Sequence, residues 1–249
     1  MAVRDEIKEQ TNKLKDMTRD QKIDYIWTYY RWWILGSVAL IFIVISVART
    51  VISNSKPVYI NAIFLNSTAP NMGASCTLEA EFLNKYEVNP KDYNSSFDYV
   101  THLDNNYGDQ ASMASQVKLM SMYSAATIDI VCGPESTLTG SGDPGGYCNL
   151  SEILPDGMLD EILSKGYEPF YYTEKVYEEG AIPDADGNIP YTDGETYIAG
   201  LYLDNCKMLV GNAPTCVYES PADDRWVLTV AWSSERIDHA VEFIEFVTQ

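Results

Sequence analysis

Residues 127–148, TIDIVCGPESTLTGSGDPGGYC, lead a short apolar run directly into a loop rich in glycine. An apolar run of this length that contains β-branched residues and is bounded by glycine and proline is typical of a buried strand. The preceding segment, DQASMASQVKLMSMYSAA at 109–126, has the spacing of a helix with Asp109 as its cap. The face that this helix is predicted to bury consists of Met113, Val117, Met120 and Ser124.

Three further elements precede this pair along the chain. PVYINAIFLN at 57–66 and SFDYVTHLD at 96–104 predict strands, and TLEAEFLNKY at 77–86 predicts a helix between them with Thr77 as its N-cap. Strands that alternate with helices indicate βαβ units. The sequence therefore predicts an α/β fold with a mainly parallel sheet flanked by helices. The apolar face of the first helix is Leu78, Phe82, Leu83 and Tyr86.

The second half of the chain is less regular. LSEILPDGMLDEILSKGY at 150–167 predicts one short helix or two, and FYYTEKVYEEG at 170–180 is compatible with a strand or a helix. RWVLTVAW at 225–232 predicts the last strand. SSERIDHAVEFIEFV at 233–247 predicts an amphipathic helix behind a serine cap. Its apolar face is Ile237, Val241, Ile244 and Val247.

An uncharged stretch, WWILGSVALIFIVISVA at 32–48, lies near the N-terminus. About 20 such residues span a bilayer core of roughly 30 Å, whereas a buried core helix seldom lacks a polar face for so long. Residues 32–52 are therefore predicted to be a transmembrane helix, which continues from a helix that a capping box of Thr18 and Gln21 opens. Aromatic side chains, which favour lipid headgroups, gather at its first end. They are Trp27, Tyr29, Tyr30, Trp32 and Trp33.

The span could be a retained anchor or a signal peptide cleaved after Ala48. Ser46 and Ala48 fit a small-residue cleavage site, but the preceding 31 residues carry mixed charge and exceed an ordinary basic n-region. A retained anchor is therefore favoured. Because basic residues flanking a span stay inside, the seven Lys/Arg of segment 1–31 predict a cytoplasmic N-terminus. A linker at 53–56 then leads to a domain at 57–249 outside the cell.

The part of the chain after the span is strongly acidic. Residues 50–249 hold nine Lys/Arg against thirty Asp/Glu, which gives a net charge of −21. Such a domain repels nucleic-acid phosphates, so a nucleic-acid partner is excluded. The charge could attract cations or basic partners, and it also keeps a domain soluble beside a charged envelope.

The segment IPDADGNIPYTDGETYIAGLYLDN at 182–205 contains two Asp-Gly pairs, which predict turns before a strand. The same residues partly match a calcium-binding EF-hand loop, but Ile189 occupies the position that requires glycine. The two turns explain them better. The matching residues are Asp184, Asp186, Asn188 and Glu195.

Five cysteines occur without any Cys-x-x-Cys pair, so neither a zinc ribbon nor a thioredoxin-type site is indicated. In an exported domain, Cys206 with Cys216 and Cys132 with Cys148 are predicted local disulfides, which leaves Cys76 single.

The sequence lacks the patterns of common catalytic sites. The glycine-rich loop has no Gly-Lys-Ser/Thr for phosphate binding and no Gly-x-Ser-x-Gly for a nucleophile. The two histidines, His102 and His239, are more typical of packed or surface residues than of catalytic ones. We therefore predict no catalytic residue, no metal site and no cofactor.

One family resembles this order of motifs. IDIVCGPEST and the following GGYCNLSEILP resemble the stretch in type 2 extracellular solute-binding proteins where a third strand delivers a ligand-facing loop. ETYIAGLYLDN is similar to that family's crossing strand, and WVLTVAWSSERIDHAVEFIEFV to its late strand and helix. The membrane-anchored form is similar to proteins of Gram-positive anaerobes. The resemblance covers most of 57–249 and implies one lobe of a binding protein, since only residues 158–225 could supply a second lobe.

The leading hypothesis is a single-pass membrane protein whose outer domain binds a small molecule, peptide or glycan without catalysis. A structural or assembly subunit that docks onto an envelope protein is the alternative, and a hydrolase is a weaker one. Ligands of open parallel sheets bind beyond the carboxyl ends of strands, and helix N-termini favour anions. The candidates are Asn66, Ser67, Thr68, Asp104, Asn105, Tyr107, Pro134, Glu135, Ser136, Asp204, Asn205, Trp232, Ser233 and Ser234.

Overall fold

The computed structural model describes residues 18–54, 56–68, 76–103, 110–177, 190–211, 213–218 and 224–249. The chain divides into two compact units, Met1–Lys56 and Pro57–Gln249. The first unit contains helix α1 (Arg19–Asn54). The second contains β1 (Val58–Phe64), α2 (Leu78–Lys85), β2 (Asn94–Asp98), α3 (Gln110–Ser124), β3 (Ile130–Pro134), α4 (Glu135–Thr139), α5 (Leu150–Ile153), α6 (Met158–Ser164), β4 (Pro169–Tyr177), β5 (Tyr191–Tyr202), β6 (Trp226–Val230) and α7 (Ile237–Val247).

Helix α1 runs without a break for 36 residues. Its start has half of the predicted capping box, since the Gln21 side chain accepts the Thr18 N–H at 3.1 Å. Within it, Arg31–Thr50 has a mean hydropathy of 2.0 and is fully exposed. By length and composition this stretch is a candidate membrane span.

The first half of the second unit forms the predicted βαβ arrangement. Strand β1 pairs in parallel with β2 on one side and with β3 on the other. The side chains of β1 alternate between two cores, which explains why its sequence is apolar at nearly every position. Ile60 and Phe64 enter one core, and Ile63 enters the other.

The second half extends the same sheet with antiparallel strands, in the order β2-β1-β3-β6-β5-β4. Strand β6 runs antiparallel to both β3 and β5, and β4 forms a long antiparallel hairpin with β5. The segment at 170–180 is thus strand as far as Tyr177. Residues 158–225 contain helix α6 and strands β4 and β5, and both strands belong to this one sheet. The described part of this segment therefore forms no separate lobe.

Helices cover both faces of the sheet. One core contains Phe82 of α2, Ile162 of α6 and Phe243 of α7, and aromatic rings from these helices and from the strands contact one another there. The other core contains Leu119 and Tyr123 of α3. Strand β3 lies between the two cores with every residue buried, as its apolar sequence predicts.

Two boundaries differ from the predictions because side chains override the local pattern. Strand β2 ends at Asp98 rather than near residue 104, because the Asp98 carboxylate accepts the N–H groups of Val100 and Thr101 at 2.8 and 3.1 Å. This Asx turn replaces the strand ladder. The N-cap of α7 is Arg236 rather than a serine, and Ser234 Oγ accepts the Arg236 N–H at 3.2 Å.

The predicted buried face of α3 is wrong. Met113 and Val117 are 57% and 70% exposed, and the helix instead buries Ser112, Leu119 and Tyr123. Apolar residues occur on several sides of this helix, so their spacing alone does not select the face that is buried.

The Asp-Gly pair at 193–194 is likewise not a turn, because it lies within β5. Strand β4 shifts register between Thr173 and Lys175. A Cβ atom at Gly194 would lie 2.9 Å from Val176 Cγ2 and 3.1 Å from the Cβ of Glu174. The glycine therefore accommodates an irregular strand pairing. The other pair, at 186–187, lies outside the described residues.

Candidate functional site

Strands β1, β2, β3 and β5 point in the same direction, so their carboxyl ends lie along one edge of the sheet. We name this the carboxyl edge. Strands β4 and β6 run the other way and begin there. Ligands of open α/β sheets bind beside such an edge.

The residues that follow β1 hold neighbouring loops together. Asn66 adopts a φ of 55°, and its side chain bonds Leu103 twice, donating to the carbonyl at 2.9 Å and accepting the N–H at 2.8 Å. Ser67 Oγ and the Thr68 N–H both donate to the Val217 carbonyl, at 2.8 and 3.0 Å. These contacts are internal to the fold. Three further candidates, Asp104, Asn105 and Tyr107, lie outside the described residues.

A charged cluster forms where β3 and β5 end and β6 begins. Arg225 donates through Nε to Asp204 at 2.7 Å and through a terminal nitrogen to Glu168 at 2.8 Å. The guanidinium carbon lies 3.6 Å from the centroid of the Tyr202 ring, a cation–π contact. The Glu135 N–H donates to the Arg225 carbonyl at 2.9 Å, and the Glu135 carboxylate acts on the Tyr202 hydroxyl. We call these five residues the Arg225 cluster.

The electrostatics of the Arg225 cluster favour recognition over proton transfer. Burial and the negative Glu135 carboxylate raise the pKa of Tyr202 to about 12, so the phenol stays neutral near pH 7. Burial lowers the pKa of Arg225, but the hydrogen bonds to Asp204 and Glu168 outweigh it and raise the pKa overall. One guanidinium and three carboxylates leave the cluster negative. Its groups can bind polar or cationic partners.

Two other candidates, one at the end of β3 and one in α4, make contacts within the fold. Pro134 is buried and pairs with Trp226 across the sheet. The Ser136 N–H donates to the Asp224 carboxylate at 3.2 Å, and the Ser136 hydroxyl donates to the same group. These contacts fix the chain as it enters β6.

A cavity of about 500 Å³ opens at the same edge, and its lining includes Tyr167 and Asn205, which precede Glu168 and follow Asp204 in the chain. Three segments line it: one precedes β4, one follows β5, and one contains the end of α7. All three lie at the carboxyl edge. Asn205 lies on its wall and donates to the Gly166 carbonyl at 2.6 Å. Lys165 donates to the Thr248 carbonyl at 3.2 Å. The lining includes Lys165, Tyr167, Asn205, Lys207, Met208 and Thr248.

The remaining candidates, Trp232, Ser233 and Ser234, lie at the opposite edge, because β6 runs against β3. Ser234 Oγ donates to Asp129 at 2.6 Å. The Asp129 side chain is fully buried and also accepts the Asn61 N–H at 2.8 Å and Arg236 Nε at 2.9 Å. This network joins β1, β3 and the start of α7. The structure thus does not bring these three candidates together with those at the carboxyl edge.

The glycine-rich loop beyond residue 140 packs beneath the β4–β5 hairpin. The buried Asp143 carboxylate accepts the Tyr172 hydroxyl at 2.9 Å and Lys175 Nζ at 2.6 Å. The Tyr197 hydroxyl donates to the Tyr147 carbonyl at 2.8 Å. Most of this loop therefore connects elements, and only its first residues border the carboxyl edge.

All five cysteines are free thiols, so neither predicted disulfide is formed in the structure. Cys206 donates to a carbonyl in the last turn of α7 at 3.3 Å, and Cys148 donates to the carbonyl that follows β6 at 3.3 Å. Burial raises the pKa of both thiols to about 11. Cys132 is fully buried in β3. The cysteines of each predicted pair are close in sequence, but their sulfur atoms are not bonded to each other in the structure.

Neither histidine belongs to the Arg225 cluster. His102 is exposed, and His239 stacks on Tyr59 at 3.8 Å between ring centroids and contacts Glu242 at 3.1 Å. Within the described ranges, no group of three His, Cys, Asp or Glu side chains could hold a metal ion. Most of the EF-hand-like segment lies outside those ranges.

Sequence reasoning missed several residues of the site. Arg225 and Tyr202 lie at the ends of β6 and β5, and only the strand order of the sheet shows that these ends are neighbours. Glu168 precedes β4, a segment that the sequence predicts as either strand or helix. The basic residue at 225 was nevertheless a signal, because it is one of only nine Lys/Arg among residues 50–249, which hold thirty Asp/Glu. Comparison of the chain with protein-family models, with curated proteins and with solved structures gives no match.

Proposed function

We propose that this protein is anchored in the cell membrane by residues 32–52 and presents the domain at 57–249 outside the cell. The domain recognises a small molecule, peptide or glycan at its carboxyl edge without catalysis. The N-terminal segment 1–31 lies in the cytoplasm. An exposed, uncharged helix of membrane-spanning length and the basic residues before it support this orientation.

The observation that carries the proposal is the open cavity of about 500 Å³ at the carboxyl edge, the edge that also carries the Arg225 cluster. Arg225, Asp204 and Glu168 have side chains that are 37%, 46% and 65% exposed. Charged groups that are held by one another yet open to solvent can bind a ligand with little reorganisation. An aromatic ring and several hydrogen-bonding groups beside a concave surface are typical of small-ligand sites.

The same chemistry supports binding rather than turnover. A general base near neutral pH needs a group whose pKa lies close to 7. Burial raises the pKa of Tyr202 to about 12, and the carboxylates of Asp204 and Glu168 raise the pKa of Arg225, so its guanidinium stays charged. The cluster therefore offers fixed charges and hydrogen bonds without an activated nucleophile.

The resemblance to type 2 solute-binding proteins enters as part of this proposal. In this proposal the sheet acts as a single lobe, so a ligand would bind against one surface instead of between two closing lobes. Affinity would then rest on the rigid carboxyl edge, and no clamshell closure is required.

Thermal unfolding of the full-length protein in detergent tests the proposal. The probes are spermidine, a lysine-rich peptide, free amino acids and short oligosaccharides. A probe that binds should raise the unfolding midpoint, because it stabilises only the folded state. The effect should weaken in Glu135→Ala and persist in Glu195→Ala, which removes an exposed carboxylate on β5.

The stability of Glu135→Ala without ligand should stay within about 1 kcal/mol of the parent, since Glu135 lies in a partly exposed position. A cationic probe should also lose its effect at high salt. Equal loss of ligand response in both variants, or a large loss of stability in Glu135→Ala alone, would overturn the role of the carboxyl edge.

A second candidate function is docking onto an envelope protein. Val100, Met113 and Val117 are 80%, 57% and 70% exposed, and a cleft of about 270 Å³ lies between residue 100 and α3. Exposed apolar side chains grouped in this way are typical of interaction surfaces. Docking predicts that Val117→Glu, but not Glu135→Ala, abolishes a cross-linked complex formed in intact cells.

A further inference from the structure

Cys76 and Cys216 lie side by side where α2 begins. Cys76 Sγ contacts the Thr215 carbonyl at 3.6 Å, and the neighbouring Thr77 N–H donates to the Pro214 carbonyl at 3.0 Å. The Thr215 carbonyl belongs to the peptide group that leads into Cys216. The sulfur of Cys76 is therefore within about two residue lengths, or ~7 Å, of the Cys216 backbone.

Electrostatic and packing data agree with this closeness. Burial raises the pKa of the Cys216 thiol, and the charge of Cys76 raises it further. Cys216 Sγ donates to the Lys207 carbonyl at 3.5 Å. To bond Cys76, Cys216 would leave this contact by rotating about its Cα–Cβ bond between staggered rotamers.

Cys206 is a poorer partner for Cys216 than the sequence suggests. Its side chain is 1% exposed, and its sulfur donates to the Val247 carbonyl beneath α7. Thiol–disulfide exchange requires access of a thiolate to an external disulfide. Cys76 is partly exposed and provides that access.

We propose that Cys76 and Cys216 form a disulfide when the domain meets an external low-molecular-weight disulfide, RSSR; its occurrence in cells rests on the outward orientation proposed above. The Cys76 thiolate attacks RSSR, which forms a Cys76–S–S–R bond and releases RS⁻. The Cys216 thiolate then attacks the Cys76 sulfur, which forms the internal disulfide and releases a second RS⁻. Overall, two thiols are oxidised and RSSR is reduced to two RSH.

The cross-link ties the start of α2 to the loop that follows β5. That loop carries Lys207 and Met208 of the cavity wall and the Val217 carbonyl that holds the segment after β1. Oxidation would thus fix part of the carboxyl edge. Closing a loop of this length restricts the unfolded chain strongly, so the unfolding midpoint should rise by roughly 5–10 °C.

Trypsin separates the alternatives cleanly. Cleavage after Lys207 places Cys206 in peptide 176–207 and Cys216 in peptide 208–225, while Cys76 lies in peptide 50–85 because Lys56 precedes proline. Purified full-length protein is treated with oxidised glutathione at pH 8.5, alkylated and analysed by mass spectrometry without reduction. We expect peptide 50–85 linked to peptide 208–225.

Two variants complete the test. Cys76→Ser should abolish the oxidation-dependent rise in the midpoint, and Cys206→Ser should keep it. Linkage of 176–207 to 208–225, or alkylation of both Cys76 and Cys216 after oxidation, would overturn the proposal. Because the purified protein is oxidised without any ligand or membrane, this outcome is independent of whether the carboxyl edge binds a ligand.

Discussion

Replacing Asp129 should destabilise the outer domain far more than replacing an exposed carboxylate. The Asp129 side chain is fully buried and accepts hydrogen bonds from the Asn61 N–H, Ser234 and Arg236 at 2.6 to 2.9 Å. Asp129→Ala would leave the Arg236 guanidinium, 19% exposed, without its carboxylate. Removing one partner of a buried ion pair costs about 3–5 kcal/mol.

The measurement is urea or thermal unfolding of the full-length protein in detergent, followed by near-UV circular dichroism, which reports the packing of aromatic side chains. A loss of 3–5 kcal/mol corresponds to a midpoint lower by roughly 10 °C for a domain of this size. Asp156→Ala, which removes an exposed aspartate from a turn, is the matched control and should change stability by less than about 0.5 kcal/mol.

A double-mutant cycle sharpens this prediction. Arg236→Met alone should also be costly, because it leaves the buried Asp129 carboxylate with one charged partner fewer. Combined with Asp129→Ala it should cost less than the sum of the two single changes, since no unpaired charge then remains. Additive losses, or a loss below about 1 kcal/mol in Asp129→Ala, would refute the view that this ion pair joins β1, β3 and α7.

Two further predictions concern topology and acid stability. External protease added to intact cells should remove the domain at 54–249, and a protected domain with a digested N-terminus would contradict the proposed orientation. Burial opposes ionisation of Asp98, but hydrogen bonds from Lys118, Thr101 and Val100 outweigh burial and lower the pKa of this carboxyl to about 2. Its ionised form therefore stabilises the fold above pH 4, and on the order of 1 kcal/mol should be lost between pH 4 and pH 2. In Asp98→Asn the free energy of unfolding should fall less steeply between pH 4 and pH 2. The same pH dependence in this variant and in the parent would contradict a stabilising role of the Asp98 carboxylate.

The parallel half of the sheet was predictable because its signals are local. In β1 and β3, apolar residues lie on both faces, which is the pattern of strands covered on both sides. In α2, Leu78 and Phe82 recur at helical spacing, and both are buried as predicted. Each of these elements is specified by its own sequence, and helix–strand alternation then sets the parallel pairing.

The antiparallel half was harder because its pairing is set by distant residues. Strand β4 could be recognised only through its partner β5, whose glycine at position 194 accommodates the register shift. The direction of β6 also depends on the chain returning between β3 and β5. Neither fact is written in a local pattern, so the sequence did not show that the candidates after β6 lie at the opposite edge from the others.

Among the candidate residues, two belong to the Arg225 cluster, whose members come from distant parts of the chain. Glu135 and Asp204 follow strands that point to one edge, so the strand-end rule found them. Asn66 satisfied the same rule yet serves the fold, because its side chain can bond a neighbouring backbone twice. A strand-end position thus nominates a residue, and only its hydrogen-bond partners reveal whether it is free to bind.

The direction of β6 also links the two edges through a single helix. Helix α7 begins beside the Asp129–Arg236 ion pair and ends at the cavity, which Val247 and Thr248 line. The ion pair fixes one end of the helix, and the cavity depends on the position of the other end. A change at Asp129 should therefore weaken ligand response only together with stability, whereas Glu135→Ala should weaken it alone. This difference separates residues that build the carboxyl edge from residues that act at it.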